Sequence, residues 1–403
     1  MRANLLRDAG ACTTLALLLL ACEPFAGDLF LGDPGRNMLT AAMAQTSPPA
    51  LAEYRRKLKD YAEARDAFEE EAKAYWSSIS EKRRGRNAKR RAREAIALDD
   101  YVLTQPPVYA GPKRPVNPEP EEEPEQPSRP RKYIPVVADY LKAARDHFQF
   151  VPQRPASDLE FKRAYARAAR AEGLTREQAV RVYAFETGGN GAHDMQSGLS
   201  ASRPGSRAIS TAIGYNQLLT TNTVELIAEQ GHHFVTALTG RAARLTGEPR
   251  KAMEHKIAVL KRMVAFSRTV PDEWSQHEKL ANTPQGWALH AMVLDIDVGP
   301  LLQTHKLLTS VVFARAKGHA APLSAAELEM MNLTGDGTGL DMVTLPRAMR
   351  EKVPTSNFFQ RGGYERNPVA IRNDTVAKLL AVTDARMDSA SQAQGARDLA
   401  AEF

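Results

Sequence analysis

Apolar and polar positions along this chain recur with helical rather than strand spacing almost throughout. Tyr54, Leu58, Tyr61, Arg65, Phe68, Ala72, Tyr75 and Ile79 return in steps of four and three, the a/d spacing of a coiled-coil seam. Arg65 interrupts the seam, and most positions between are charged. The pattern predicts a long, charged amphipathic helix within 45–104. From about Pro106 to Pro135 proline recurs every few residues around PEPEEEPEQPSRPR. Proline cannot feed a helix ladder and like charges extend the chain, so 105–135 reads as a semi-rigid linker.

From 136 to 403 the reading is helix after helix. FKRAYARAARAEG is helical and stops at Gly173. Thr175 then offers an N-cap, with Gln178 completing a capping box. Val180, Tyr183, Ala184 and Thr187 share a face until Gly188-Gly189 ends the helix. Glu186 therefore falls in the last turn, where the helix dipole disfavours an anion. Combined with burial, that position raises a carboxyl pKa and suits a general acid at neutral pH.

Asn190 to Thr211 is polar and loop-like. AIGYNQLL follows, then a helix over Thr220 to Gln230 and longer ones at 249–268 and 285–317, with GPLL at 299 starting or kinking a helix. NLTGDGTGLDMV and SNFFQRGGYERNP read as loops, and Val369 to Met387 as the last helix. A small hairpin within 205–220 is the one plausible β element. The expected fold is mainly α, with a loop-lined cleft.

Composition agrees: hydrophobic residues make up 43 % of 403 residues, enough for a sizeable core, and Ala, Leu, Arg and Glu are plentiful. The net charge of +6 is mild but uneven. KRRGRNAKRRAR at 82–93 carries no interleaved aromatics for base stacking, which argues against nucleic acid. It fits a solvated face or an anchor for anionic envelope polymers or lipids.

Arg2, Arg7 and the short apolar run Leu15 to Ala21 resemble an export signal too short to span a bilayer comfortably. LLAC ending at Cys22 resembles a lipoprotein box, and AMA before Gln45 an ordinary cleavage site. The expectation is 1–44 as signal and a bacterial periplasmic location, with Cys22 as the lipid anchor if the first site is used. Cys12 and Cys22 are the chain's two cysteines, so the mature region lacks a disulfide, a Cys-based metal site and a cysteine nucleophile.

Glu186-Thr187 at a helix end, followed by Ser210-Thr211-Ala212-Ile213-Gly214-Tyr215-Asn216-Gln217-Leu218 before another helix, resembles the lysozyme-like domain of soluble lytic transglycosylases. Met330 to Gly337 is similar to a third family element, an A-Y-N-A-G-x-G-type turn. Ser356-Asn357-Phe358-Phe359 is similar to a fourth, in which Phe358 stands where the family carries tyrosine. The four occur in family order. The span from Glu186 to Gly214 is longer than in the family and reads as an inserted loop.

The resemblance implies a lysozyme-like domain with extra helices at 136–403, acting on peptidoglycan glycan strands without a cofactor or metal. One glutamate, Glu186, would protonate the glycosidic oxygen and then deprotonate the muramoyl C6 hydroxyl, closing a 1,6-anhydro ring. Gln217 would bond sugar substituents, Tyr215 pack on a sugar face, Asn332 line the opposite wall, and Tyr364 supply the missing hydroxyl. If Asp194 reached the cleft, a lysozyme-type hydrolase would follow. A non-catalytic envelope scaffold that binds glycan, with self-association through 51–79, is the reading from a different class.

Other chemistries lack their patterns. His232-His233 and the remaining histidines have no HExxH or matching carboxylate spacing, which leaves them to surface or core roles. NLTGDGTGLDMV puts Val343 where a calcium loop needs its bidentate glutamate. No G-x-S-x-G elbow occurs.

Overall fold

Helix dominates the protein, as its periodicity predicts; the chain is mainly α. The computed structural model describes residues 47–118, 133–190, 193–196 and 208–403. The export-like segment with Cys12 and Cys22, the acidic centre of the proline-rich stretch and most of the polar span after Asn190 lie outside the described residues. The chain divides into two units between 132 and 133.

In the first unit, α1 (Pro48–Ala92) is a single 45-residue helix with proline in its first turn and Lys89, Arg90 and Arg91 in its last, where cations complement the dipole. It ends earlier than 104 because Arg93 adopts a left-handed conformation, φ 58°. The chain then doubles back along α1. Tyr75 donates to the Thr104 carbonyl at 3.0 Å. The Tyr109 ring meets Phe68 at 5.5 Å and Tyr61 at 6.3 Å.

The seam is thus covered from Tyr61 onward by residues that read as linker. Arg65, the interruption, lies over the rings of Phe68 and Tyr109 at 5.0 and 5.2 Å, a cation–π contact rather than a defect. Part of the basic run is spent in the same way. Arg86 is fully buried, donates to the Asp100 carbonyl at 3.0 Å and lies 4.2 Å over Tyr101. Lys89 pairs with Asp100 at 2.7 Å.

The second unit begins with α2 (Val137–Phe148), α3 (Asp158–Ala171) and α4 (Arg176–Thr187). A long α5 (Thr220–Ala242) follows, with α6 (Gly247–Ser267), α7 (Trp274–Ala281), α8 (Pro284–His290) and α9 (Gly299–Ala316) packed on it. Val224, Ile227, Phe234 and Leu238 of α5 and Val259, Leu260 and Met263 of α6 are buried in one apolar core. α10 (Ala325–Thr334) and α11 (Asp336–Val343) form a close pair, α10 also packing on α4 and α9. Short helices α12 (Arg347–Arg350), α13 (Arg361–Glu365) and α14 (Pro368–Arg372) lead to α15 (Val376–Ala390) and α16 (Gln394–Ala401), both packed on α4.

Several boundaries differ from the sequence reading. Within 285–317 Gly299 starts α9, as GPLL suggested, and the part before it divides into α8 and a 3₁₀ turn over Ala291–Leu294, because Asp295 captures the N–H groups of Asp297 and Val298. NLTGDGTGLDMV is not a loop: it closes α10 and builds α11. Its Gly339 serves contact rather than flexibility, since a Cβ there would collide with the Met331 backbone. SNFFQRGGYERNP is likewise a 3₁₀ turn plus α13. The helix expected at Val369–Met387 is not the last: α14 takes its start, α15 begins at Val376 with Thr375 as its cap, and α16 follows. Among the described residues, β structure amounts to isolated bridges, Ile213 with Leu218 and Pro354 with Thr375.

Candidate functional site

The α4 cap forms as its residues dictate. Thr175 accepts from the Gln178 N–H at 3.1 Å, and Gln178 Oε1 accepts in return from the Thr175 N–H at 3.0 Å. Gly188 ends the helix at φ 70°, a conformation that costs glycine nothing. Glu186 therefore stands in the last turn and points where α4 meets α10.

There Asn332, on the last turns of α10, donates Nδ2–H to Glu186 Oε1 at 3.3 Å. One turn earlier on the same face, Glu329 is 3 % exposed and hydrogen-bonded to Glu186 carboxyl to carboxyl. Such a contact requires a proton. Glu329 Oε2 is buried without a donor, a setting in which a carboxyl keeps its proton.

Burial is the main cause pushing Glu186 up to about 7; the charge of Lys306 and the hydrogen bond from Glu329 oppose it. Burial and then the Glu186 charge drive Glu329 well above the carboxylate range. The pair thus keeps at least one proton at neutral pH.

Further charges converge from neighbouring helices. Lys306 of α9 acts electrostatically on Glu186, Glu329, Glu225 and Asp336. Glu225, half-buried on α5, is also pushed up to about 7, by burial first and Glu229 second. Asp336 at the start of α11 is raised by burial while accepting from Ser310 at 2.6 Å. Four carboxyls share the field of one lysine. Asn332 Oδ1 is buried without a partner.

No family model, curated protein or solved structure matches this chain.

Of the expected site residues, Glu186 and Asn332 come together. Tyr215 does not join them as a sugar platform. Its side chain is fully buried, ringed by Tyr183 at 4.4 Å, Phe161 at 5.0 Å and Tyr165 at 5.5 Å, and its hydroxyl donates to Asp158 Oδ1 at 3.0 Å. An aromatic in a tight return finds more apolar contact inward than outward.

Gln217 is half-buried with φ 42°, strained backbone for a residue other than glycine. Both of its amide hydrogens are used, toward Met195 O at 3.1 Å and Gly214 O at 2.9 Å, which leaves Oε1 as its acceptor. The loop is held from α9. Gln303 Oε1 accepts from the Asn216 N–H at 2.8 Å, and a Cβ on Gly214, φ 81°, would collide with Gln303 Nε2.

Tyr364 is buried against Phe359 at 6.0 Å, its hydroxyl bonded to Thr355. Phe358 is buried too. Asp194 is engaged by Arg154.

Sequence reasoning missed Glu329, Lys306, Glu225 and Asp336. Glu329 alone left a signal: a carboxylate three residues before Asn332, between Leu328 and Met330 in AAELEMMNL. One group of potential metal ligands also lacks sequence spacing yet gathers in space: Glu172, His233 and His305, with ligand atoms within 4.8 Å of one another. His233 and His305 thus have a carboxylate partner that the sequence pattern did not reveal.

Proposed function

We propose that this protein is a peptidoglycan lytic transglycosylase in which Glu186 acts as acid and then as base. The observation that carries the reading is the meeting of Asn332 with Glu186, two motif elements 146 residues apart, at a carboxyl raised to about 7. A group with that pKa gives and takes a proton equally readily at neutral pH.

In the first step Glu186 passes its proton to the glycosidic oxygen as the bond from muramoyl C1 breaks. In the second, the C6 hydroxyl attacks C1, and its proton returns to the Glu186 carboxylate. The product is a 1,6-anhydro ring and no water is consumed. Glu329 holds its proton throughout and donates to Glu186 when Glu186 is ionised; Asn332 orients the same carboxylate.

The pairing also supports a single acid–base unit over a hydrolase. Inverting glycosidases separate their carboxyls by about 6.5–9.5 Å and retaining ones by about 5–5.5 Å, whereas Glu186 and Glu329 are in direct contact. Asp194, the alternative second carboxylate, is tied to Arg154.

This reading puts the protein in the bacterial periplasm, in keeping with the export-like first 44 residues. Arg84, Arg91 and Arg93 are exposed and suit anionic envelope polymers or lipids. The seam from Tyr61 onward, already covered within its unit, is the less suited part of 51–79 for self-association.

The test is digestion of purified sacculi by wild type and Glu186→Gln, with products weighed by mass spectrometry. Anhydro-muropeptides released by wild type and reduced about 10²–10⁴-fold in the variant are expected. Reducing ends would mean a hydrolase. Binding to sacculi without release would mean a glycan-binding scaffold.

A further inference from the structure

Away from the Glu186 pair, three helices bring a carboxylate and two imidazoles to one point. Glu172 closes the C-terminal end of α3, His233 lies midway along α5, and His305 lies on α9. His233 Nε2 is 2.7 Å from Glu172 Oε1, and His305 Nε2 is 3.9 Å from Glu172 Oε2. The two imidazole rings are 5.1 Å apart. His305 is 5 % exposed, and its Nε2 is buried with no hydrogen-bond partner. Native structures rarely leave such an atom unmatched; it faces a carboxylate oxygen at a distance too long for a hydrogen bond and suited to a shared cation.

We infer that Glu172, His233 and His305 form a zinc-binding site that ties α3, α5 and α9 together. Imidazole nitrogen and carboxylate oxygen are zinc's ordinary donors, at bonds of about 2.0–2.2 Å. A tetrahedral ion of that size holds ligand atoms roughly 3.3–3.6 Å apart, so small side-chain rotations close the present triangle. His305 contributes Nε2 from the buried side. The hydrogen bond between Glu172 Oε1 and His233 Nε2 is the contact that the ion would replace. His233, at 44 % side-chain exposure, leaves the fourth position open to water. The ligands come from separated stretches of sequence, which is why no spacing motif announces them.

The test uses the full-length chain, stripped with chelator and titrated with zinc chloride by calorimetry. One zinc per chain is expected, with Kd at or below about 1 μM. A free zinc concentration about 100 times Kd should raise Tm by roughly 5–10 °C. His233→Ala and Glu172→Gln alter the accessible ligands and leave buried His305 in place. Each should weaken binding by about 100-fold while retaining the wild-type circular dichroism. Cobalt in place of zinc should give d–d bands without a thiolate charge-transfer band. Absence of stoichiometric binding would overturn the assignment. So would zinc affinity unchanged in both variants, or a thiolate band that persists in His233→Ala and traces the metal to Cys12 or Cys22.

Discussion

Two buried charge clusters occupy the second unit, and they are built in opposite ways. Around Asp295, which is fully buried, every oxygen is served. Oδ1 accepts from Lys256 at 2.8 Å and from the N–H groups of Asp297 and Val298 at 2.9 and 3.1 Å. Oδ2 accepts from the Gln153 N–H at 2.9 Å. Lys256 also meets Asp297 at 2.5 Å, and Arg241 reaches Asp297 at 2.6 Å. Around Glu186 the balance fails: several carboxyls share one lysine at a distance, and buried acceptors on Glu329 and Asn332 lack donors. The first cluster fixes the α8–α9 break. The second stores an unmet demand for protons and donors, as expected where a site must change charge during its work.

That contrast makes graded predictions. Lys256→Met leaves two buried carboxylates short of their cation and should cost about 3–5 kcal/mol, read from the urea midpoint. A loss below about 1 kcal/mol would erase the distinction between the clusters.

Glu186→Gln should do the reverse at alkaline pH. The folded pKa of Glu186 lies above its ordinary value of 4.5, near 7, so the native state binds more protons than the unfolded state between those values. Wild-type stability should therefore fall as pH rises from about 4.5 through 7. At pH 8 the glutamine variant should be the more stable, on the order of 1–3 kcal/mol. Equal pH profiles would contradict the buried-proton account.

Tyr215→Phe should cost the least, about 0.5–1.5 kcal/mol for the lost bond to Asp158, with the proposed sacculus-cleaving activity unaffected. A large activity loss with intact stability would return Tyr215 to the sugar-facing role expected from sequence.

Much of the helical framework was legible because its signals are local. Thr175 with Gln178 and Gly188 bound α4 through side-chain caps and a left-handed turn, and both can be read from a few adjacent letters. The glycines of NLTGDGTGLDMV misled because glycine serves close helix packing as well as turns, and only the partner surface at Met331 tells which. Tyr215 misled because its ring pocket is assembled from Phe161, Tyr165 and Tyr183 of other helices. The meeting of Glu186 with Asn332 in the candidate site was legible for the same reason: both lie in short motifs. Lys306, Glu225 and Asp336 act through burial and charge across helices, which no local spacing encodes.

The most direct test is the titration of Glu186 itself, followed by ¹³C NMR of side-chain carboxyls in wild type, Glu186→Gln and Glu329→Leu. A carboxyl resonance titrating near 7, absent from the glutamine variant, is predicted. It should move to higher pH in Glu329→Leu, where the hydrogen bond that lowers the Glu186 pKa is gone. A Glu186 carboxyl that titrates near 4.5 and ignores Glu329 would contradict the account.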